Sequence, residues 1–377
     1  MLPDYRNSNV EVMRQFAKGG GAMVGDRPNK IFLLLDGFGY NLLERVVYRD
    51  PVLREVVRNA QVSKATTVFP SFTISAISSI DSGMSVAEHG IAGDEIPVKE
   101  AGTIISMLGY STAMNGSMRL DDAYSRFIYP KPKMISLLKR RHKFAYVQDE
   151  YILKKEYSRT MFEGVESVPY VSFEDMLFQV AKLVRGGGHD RVYAYHSIID
   201  HAEHTYTPDS PEVAHIVSSA LLSIKRLLLP LLYDNDFNLV ITADHGQIPV
   251  RSSSRAIIKA TDRIMGYLNM PSWGMSRTPI LSAFPGKEKA LEEYFSGKYG
   301  KKGILVESDE AIRAGVFGRK YVDARLRPRF GTHVVIAKGD SVFKYQYPGK
   351  VPKLRKPRFG HHGGMSRDEM EVPVITY

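Results

Sequence analysis

Three short apolar runs, each leading into an aspartate, constrain this chain more than any other feature: KIFLLLDGFG (30–39), RVYAYHSIID (191–200) and FNLVITADHG (237–246). Unbroken apolar stretches closed by turn residues offer no polar face to water, so they suit strands buried on both sides of a parallel sheet. Parallel neighbours need a crossover, and one lies between the second and third runs. In SPEVAHIVSSALLSIKRLLLP (210–230), Val213, Ile216, Val217, Ala220, Leu221, Ile224, Leu227 and Leu228 recur at helical spacing. Ser210 is the expected N-cap and Pro211 the first helical residue. Open α/β sheets bind ligands beyond the carboxyl ends of their strands. Asp36, Asp200 and Asp244 are therefore expected to converge on one crevice.

After Gly246 the pattern changes. ILSAF (280–284), the helix-like KEKALEEYFSGKY (287–299), ILVES (304–308), DEAIRAG (309–315) and THVVIAKG (332–339) read as a small α+β unit. The expected organisation is a catalytic α/β core over 1–249, an α+β insertion or cap over 250–354, and a completing core segment over 355–377. The longest apolar runs fall short of the roughly 18 residues a spanning helix needs, and the first residues lack the pattern of a secretory signal. A cytoplasmic protein without a membrane span is expected.

The chain has no cysteine, which excludes disulfides, thiolate nucleophiles, Cys-ligated zinc and iron–sulfur clusters. Any metal must sit on Asp, Glu and His. Lys and Arg number 51 against 41 Asp and Glu, a formal net charge of +10, which favours an anionic ligand or a nucleic-acid surface. The basic stretches at 131–143 and 350–358 read as solvated faces.

In IIDHAEHTY, Asp200 and His204 stand one helical turn apart, which puts both on one face and makes a ligand pair for a divalent ion. His201 would point elsewhere on that helix and His196 lies inside the strand, so both read as structural. ADHG supplies Asp244 and His245 directly after a strand, and HHGG supplies His361 and His362 before glycines. Each alone has a bland reading as a cap or turn residue. Together they are enough to hold two ions with open positions for substrate, a device for in-line phosphoryl transfer. The nucleophile would come from the Ser/Thr-rich stretch 65–91, where a helix is expected to start after Pro70. A hydroxyl at a helix N-terminus meets free backbone N–H groups that can hold a phosphate. Ser71 and Thr73 are both candidates, and either is equally readable as an N-cap.

Taken in order, LLLDGFG, VFPSFT with the later SG and EHGI, D-x-x-x-H, ADHG and HHGG with a downstream VP resemble the alkaline phosphatase superfamily. Within it they resemble the prokaryotic branch of the type I phosphodiesterase / nucleotide pyrophosphatase family. The resemblance implies a mostly parallel central sheet flanked by helices, two divalent ions and a phosphorylated Thr or Ser intermediate. Zinc is the implied metal, with Mn or Mg as alternatives. Residue by residue it assigns Asp36, Asp244 and His245 to one ion together with the nucleophile, and Asp200, His204 and His362 to the other. It demotes His361, selects Thr73 as nucleophile and keeps Ser71 in reserve. It also puts Asp94 where relatives have a phosphate-binding asparagine, so their nucleotide specificity does not transfer.

The expected activity is hydrolysis of a phosphodiester or pyrophosphate in an anionic small molecule, a nucleotide being one such class. A phosphomonoesterase or phosphonate hydrolase is the nearest rival. A sulfatase is disfavoured because its Cys precursor is absent and no Ser-x-Pro-x-Arg replaces it. A basic nucleic-acid-binding protein is not favoured, since no recognisable nucleic-acid module is present. The oligomeric state is left open.

Overall fold

The computed structural model describes residues 1–114, 116, 118–347 and 358–377. The basic stretch 350–358 falls outside them except for Arg358. The other basic stretch forms the helix Lys133–Arg141, which buries Ile135 and Leu138 and leaves Lys139, Arg140 and Arg141 exposed.

All three apolar runs are strands of one seven-stranded sheet. Its order is Gln61–Thr66, Glu371–Thr376, Phe237–Thr242, Asn29–Leu35, Arg191–His196, Phe144–Asp149 and Glu166–Tyr170. Asn29–Leu35 is central and parallel to both neighbours, with Leu34 level with Thr242 and Leu35 level with His196. Only Glu371–Thr376 runs against its neighbours among the described residues. The α/β class with a mostly parallel central sheet is thus observed.

The crossover helix spans Pro211–Leu227. Ser210 caps it, its Oγ accepting from the Val213 amide, and Val213, Val217, Ala220, Leu221 and Ile224 are buried. It packs on the helices Ile198–Tyr206, Phe173–Arg185 and Pro51–Val57. With the following helix it makes a 24-residue run, Pro211–Asp234, whose most apolar 18-residue window has a mean hydropathy of 1.5 and is one-third buried, so it is long and apolar enough to cross a membrane by length and composition alone. No unbroken apolar run within it reaches that length, because Ser218, Ser219, Ser223, Lys225 and Arg226 interrupt it.

One expectation needs correcting. The second run does not end in its aspartate: the strand stops at His196, and Asp200 lies in the first turn of Ile198–Tyr206. The Asp36 carbonyl accepts from the Asp200 amide at 3.0 Å, which ties this helix to the end of the central strand. Gly37 makes the approach possible. Its φ is +79°, and a Cβ there would meet the Asp200 Cα at 2.8 Å.

A second seven-stranded sheet, antiparallel throughout, has the order Gly303–Glu307, His333–Ala337, Pro279–Leu281, Trp273–Gly274, Glu95–Val98, Thr103–Ser106 and Ser111–Thr112. The helix Glu288–Tyr299 closes a separate small core with Leu291, Phe295, Ile258, Val335 and Phe343. The bridge between Gly274 and Glu95 joins strands from either side of residue 249.

Candidate active site

The sheet delivers its functional groups to one place. Asp36 follows the central strand, Asp244 and His245 follow Phe237–Thr242, and Asp200 and His204 come from the helix after Arg191–His196. His362 arrives on the loop between Gly360–His361 and Arg367–Met370. Two sets of potential ligand atoms lie within 4.8 Å of one another: Asp200, His204 and His362, and Asp36, Asp200 and His245. Asp200 belongs to both. Asp244 completes the second, its Oδ2 lying 3.2 Å from His245 Nε2, while Asp36 Oδ1 lies 3.6 Å from the same nitrogen.

Each imidazole is oriented through its Nδ1. That of His204 lies 2.7 Å from the Gly360 carbonyl, that of His362 3.2 Å from Ser71 O, and that of His245 3.2 Å from Gly246 O. A carbonyl oxygen only accepts, so each Nδ1 carries the proton and each Nε2 offers its lone pair to the crevice. The His362 and His204 Nε2 atoms are 3.3 Å apart, and both lie 3.5 Å from Asp200 Oδ1. Three lone-pair acceptors facing one another repel unless a cation sits between them.

The carboxylates agree. Asp36 Oδ1 and Asp244 Oδ2 are buried with no hydrogen-bond partner among the described residues. Burial raises the Asp36 pKa well above the ordinary carboxylate value, and the charges of Asp244 and Asp200 raise it further. Asp244 is raised by burial and Asp200, against the pull of His245. His362 is pushed well below its ordinary value by burial, then by His245 and His204. Asp36 and Asp244 made weak as acids, and His204 and His362 kept neutral, are shifts that a bound cation would offset, so this donor set could hold a metal. Oxygen and imidazole nitrogen donors with no thiolate suit zinc, manganese or magnesium.

Thr73 opens the helix Thr73–Ser82, with Phe72 at the N-cap and no side-chain cap bond. The capping role therefore falls to neither candidate hydroxyl. Thr73 Oγ1 lies 3.1 Å from His245 Nε2, inside the ligand cluster, whereas Ser71 donates to the Gly364 carbonyl at 2.8 Å and is wholly buried. The geometry separates two residues that chemistry alone left equal.

The remaining candidates lie apart from the cluster or face elsewhere. His361 turns its Nδ1 toward Ser276 Oγ at 3.3 Å, and burial lowers its pKa to about 3. His201 is exposed. His196 stacks on Tyr170 and its Nδ1 accepts from the Ile198 amide. Both carboxylate oxygens of Asp94 are engaged, by the Leu108 amide at 2.9 Å and Ser106 Oγ at 3.0 Å.

Several supporting residues carried no signal in the sequence. Tyr195 donates to Asp36 Oδ2 and Gln247 Nε2 donates to Asp200 Oδ1 at 2.5 Å. Arg277 and Glu369, buried together, make paired bonds of 2.8 Å, and Glu369 also accepts from the Gly364 amide two residues beyond His362. Thr278 donates to the Gly363 carbonyl. Only Tyr195 was within reach, since strand register places it opposite Leu34, two residues before Asp36.

The sequence matches the model of the type I phosphodiesterase / nucleotide pyrophosphatase family over residues 30–365. Among solved structures, murine ectonucleotide pyrophosphatase / phosphodiesterase 5 is similar at 16% identity, with a TM-score of 0.67 over 92% of this chain and 87% of that one. The same murine protein has been solved as an inactive threonine-to-alanine variant in complex with AMP. Phosphonoacetate hydrolase from Sinorhizobium meliloti 1021, in complex with phosphonoformate, is similar at 17% identity and a TM-score of 0.68, over 92% and 89% of the two chains. A search of curated proteins returns no significant match.

Proposed function

Because the chain belongs to the type I phosphodiesterase / nucleotide pyrophosphatase family of hydrolases, we propose that it cleaves a phosphodiester or pyrophosphate bond through a phosphorylated Thr73. The observation that carries this reading is Thr73 Oγ1 at the head of its helix, 3.1 Å from His245 Nε2 and beside carboxylate oxygens with no other partner.

Two divalent cations, zinc first and manganese or magnesium as alternatives, would be held by Asp36, Asp244 and His245 with Thr73, and by Asp200, His204 and His362; when bound they supply positive charge to phosphoryl oxygens and ease deprotonation of hydroxyl and water. The chain's own residues set the geometry. Thr73, its hydroxyl proton lost to solvent, attacks phosphorus, its oxygen forming the new P–O bond as the ester oxygen leaves with the electron pair and takes up a proton from water. The first amides of Thr73–Ser82 have no intrahelical acceptor and no side-chain cap, and would be free to donate to phosphoryl oxygens. Tyr195 and Gln247 fix the orientation of Asp36 and Asp200. Water then cleaves the phosphothreonine and regenerates the hydroxyl. Arg358, whose charge reaches His204 and His361, adds positive potential suited to an anionic substrate.

Thr73→Ala is expected to lower turnover of bis(4-nitrophenyl) phosphate by at least about 10³-fold with metal content unchanged, while Ser71→Ala stays active. Activity retained in the Thr73 variant would overturn the reading. The likeness to phosphonoacetate hydrolase keeps a phosphonate hydrolase as the rival. Phosphonoacetate cleaved faster than any diester would select it, and 4-nitrophenyl phosphate cleaved fastest would select a monoesterase.

A further inference from the structure

A cavity of about 200 Å³ opens beside Thr73 and runs along its helix. Thr73, Ile77 and Asp81, all lining it, stand at i, i+4 and i+8 and so share one helical stripe. Eight residues at about 1.5 Å each place Asp81 roughly 12 Å along the axis from Thr73.

The walls are tyrosine rings whose hydroxyls are engaged elsewhere. Tyr110 donates to Asp121 O, Tyr129 to Met107 O and Tyr195 to Asp36. Tyr157 donates to Asp81 Oδ2 at 2.8 Å, and Tyr193 approaches the same carboxylate. Asp81 is 1% exposed, and its Oδ1 has no hydrogen-bond partner among the described residues. Lys155, which also lines the cavity, gives its Nζ to the exposed Tyr151 at 2.7 Å. Arg119, which is exposed, and Glu156, which is buried, also line it; around Asp81 the cavity presents aromatic faces and a carboxylate oxygen that lacks a donor. That pairing selects a cation: ring faces attract ammonium groups, and a buried carboxylate needs an N–H.

We propose that this cavity receives the organic arm of the substrate and that the arm ends in a primary ammonium, making the substrate a short aminoalkyl phosphoester. The length follows from the helix. About 3 Å separates attacking oxygen from phosphorus and about 3 Å separates ammonium nitrogen from Asp81. Some 6 Å is left between phosphorus and nitrogen, the span of a two- or three-carbon chain.

The proposal rests on Thr73 as nucleophile, and the test separates the two. The probes are the 2-aminoethyl, n-propyl and 5′-thymidyl esters of 4-nitrophenyl phosphate, assayed on the metal-loaded wild type, Asp81→Asn and Thr73→Ala. The wild type is expected to prefer the aminoethyl over the propyl ester by at least 10-fold in kcat/KM, and Asp81→Asn to bring that ratio toward 1. Equal rates on the two esters in the wild type, with both lost in Thr73→Ala, would overturn the ammonium site and leave the nucleophile standing. A thymidyl ester faster than both would show that the cavity takes a base and would equally overturn it. Activity persisting in Thr73→Ala would remove the foundation of both.

Discussion

Replacing Glu369 by glutamine is the sharpest test of how the ligand loop is held. Glu369 is wholly buried and Arg277 is 1% exposed. Glu369 Oε1 accepts from Arg277 Nε and the Gly364 amide, and Oε2 from Arg277 and Ser366 Oγ, all between 2.7 and 2.8 Å. Burial alone would raise the Glu369 pKa. The Arg277 charge, with its bonds and those of Ser366 and Gly364, outweighs burial and holds it below the ordinary value. Glutamine keeps the shape, removes the charge and turns a donor toward other donors, leaving a guanidinium buried without its counterion. Breaking a buried pair from one side costs about 3–5 kcal/mol. Unfolding entropy of roughly 2.1 cal/mol/K per residue, over 377 residues, gives about 0.8 kcal/mol/K, so the midpoint should fall about 4–6 °C. Calorimetry in chelator measures this without a contribution from lost metal. The double variant Arg277→Met, Glu369→Leu should recover most of the loss, since removing both charges is often nearly neutral. A single-variant shift below about 1 °C, or a double variant worse than the single, would refute the reasoning.

Tyr195→Phe removes the hydroxyl that orients Asp36 and is expected to lower metal affinity or kcat/KM about 10–100-fold; metal titration with kinetics checks it, and an unaltered enzyme would count against the assignment. Burial raises the Asp81 pKa from 3.8 to about 7 against the bonds of Tyr157 and Tyr193. Between those values the folded form holds more protons than the unfolded one, so stability is highest below the window and falls as pH rises through it, by at most about 4 kcal/mol. Other buried acids and imidazoles titrate in the same range, so the reading is the wild-type urea midpoint minus that of Asp81→Asn, which should fall between pH 4 and pH 8; a difference that stays constant or rises would contradict it.

Local patterns in the sequence carried the elements well. The apolar runs became adjacent strands of one sheet, Ser210 and Pro211 opened their helix as read, and KEKALEEYFSGKY formed the expected helix, Glu288–Tyr299. Such features depend on neighbours a few positions apart. The spacing of Asp200 and His204 already pointed to a helix, but the point where the strand gives way to it inside RVYAYHSIID was not legible, since a β-rich run carries no mark of where it ends. The pairing of Glu95–Val98 with Trp273–Gly274, and of Arg277 with Glu369 across 92 positions, rests on contacts that periodicity does not encode. Thr73 and Ser71 differ only in which way each hydroxyl points, a tertiary fact. Nothing in the sequence marks Asp81, and only the tyrosines brought to it from distant segments, Tyr157 on a helix and Tyr193 on a strand, make it unusual.

The reversed strand Glu371–Thr376 lies inside the sheet, between Gln61–Thr66 and Phe237–Thr242. Before it docks, those two strands face a gap about 10 Å wide with bare hydrogen-bonding edges. The polypeptide just ahead of it brings His362 and Glu369. The strand that seals the scaffold and the residues that complete the cluster are therefore carried on one continuous stretch of chain.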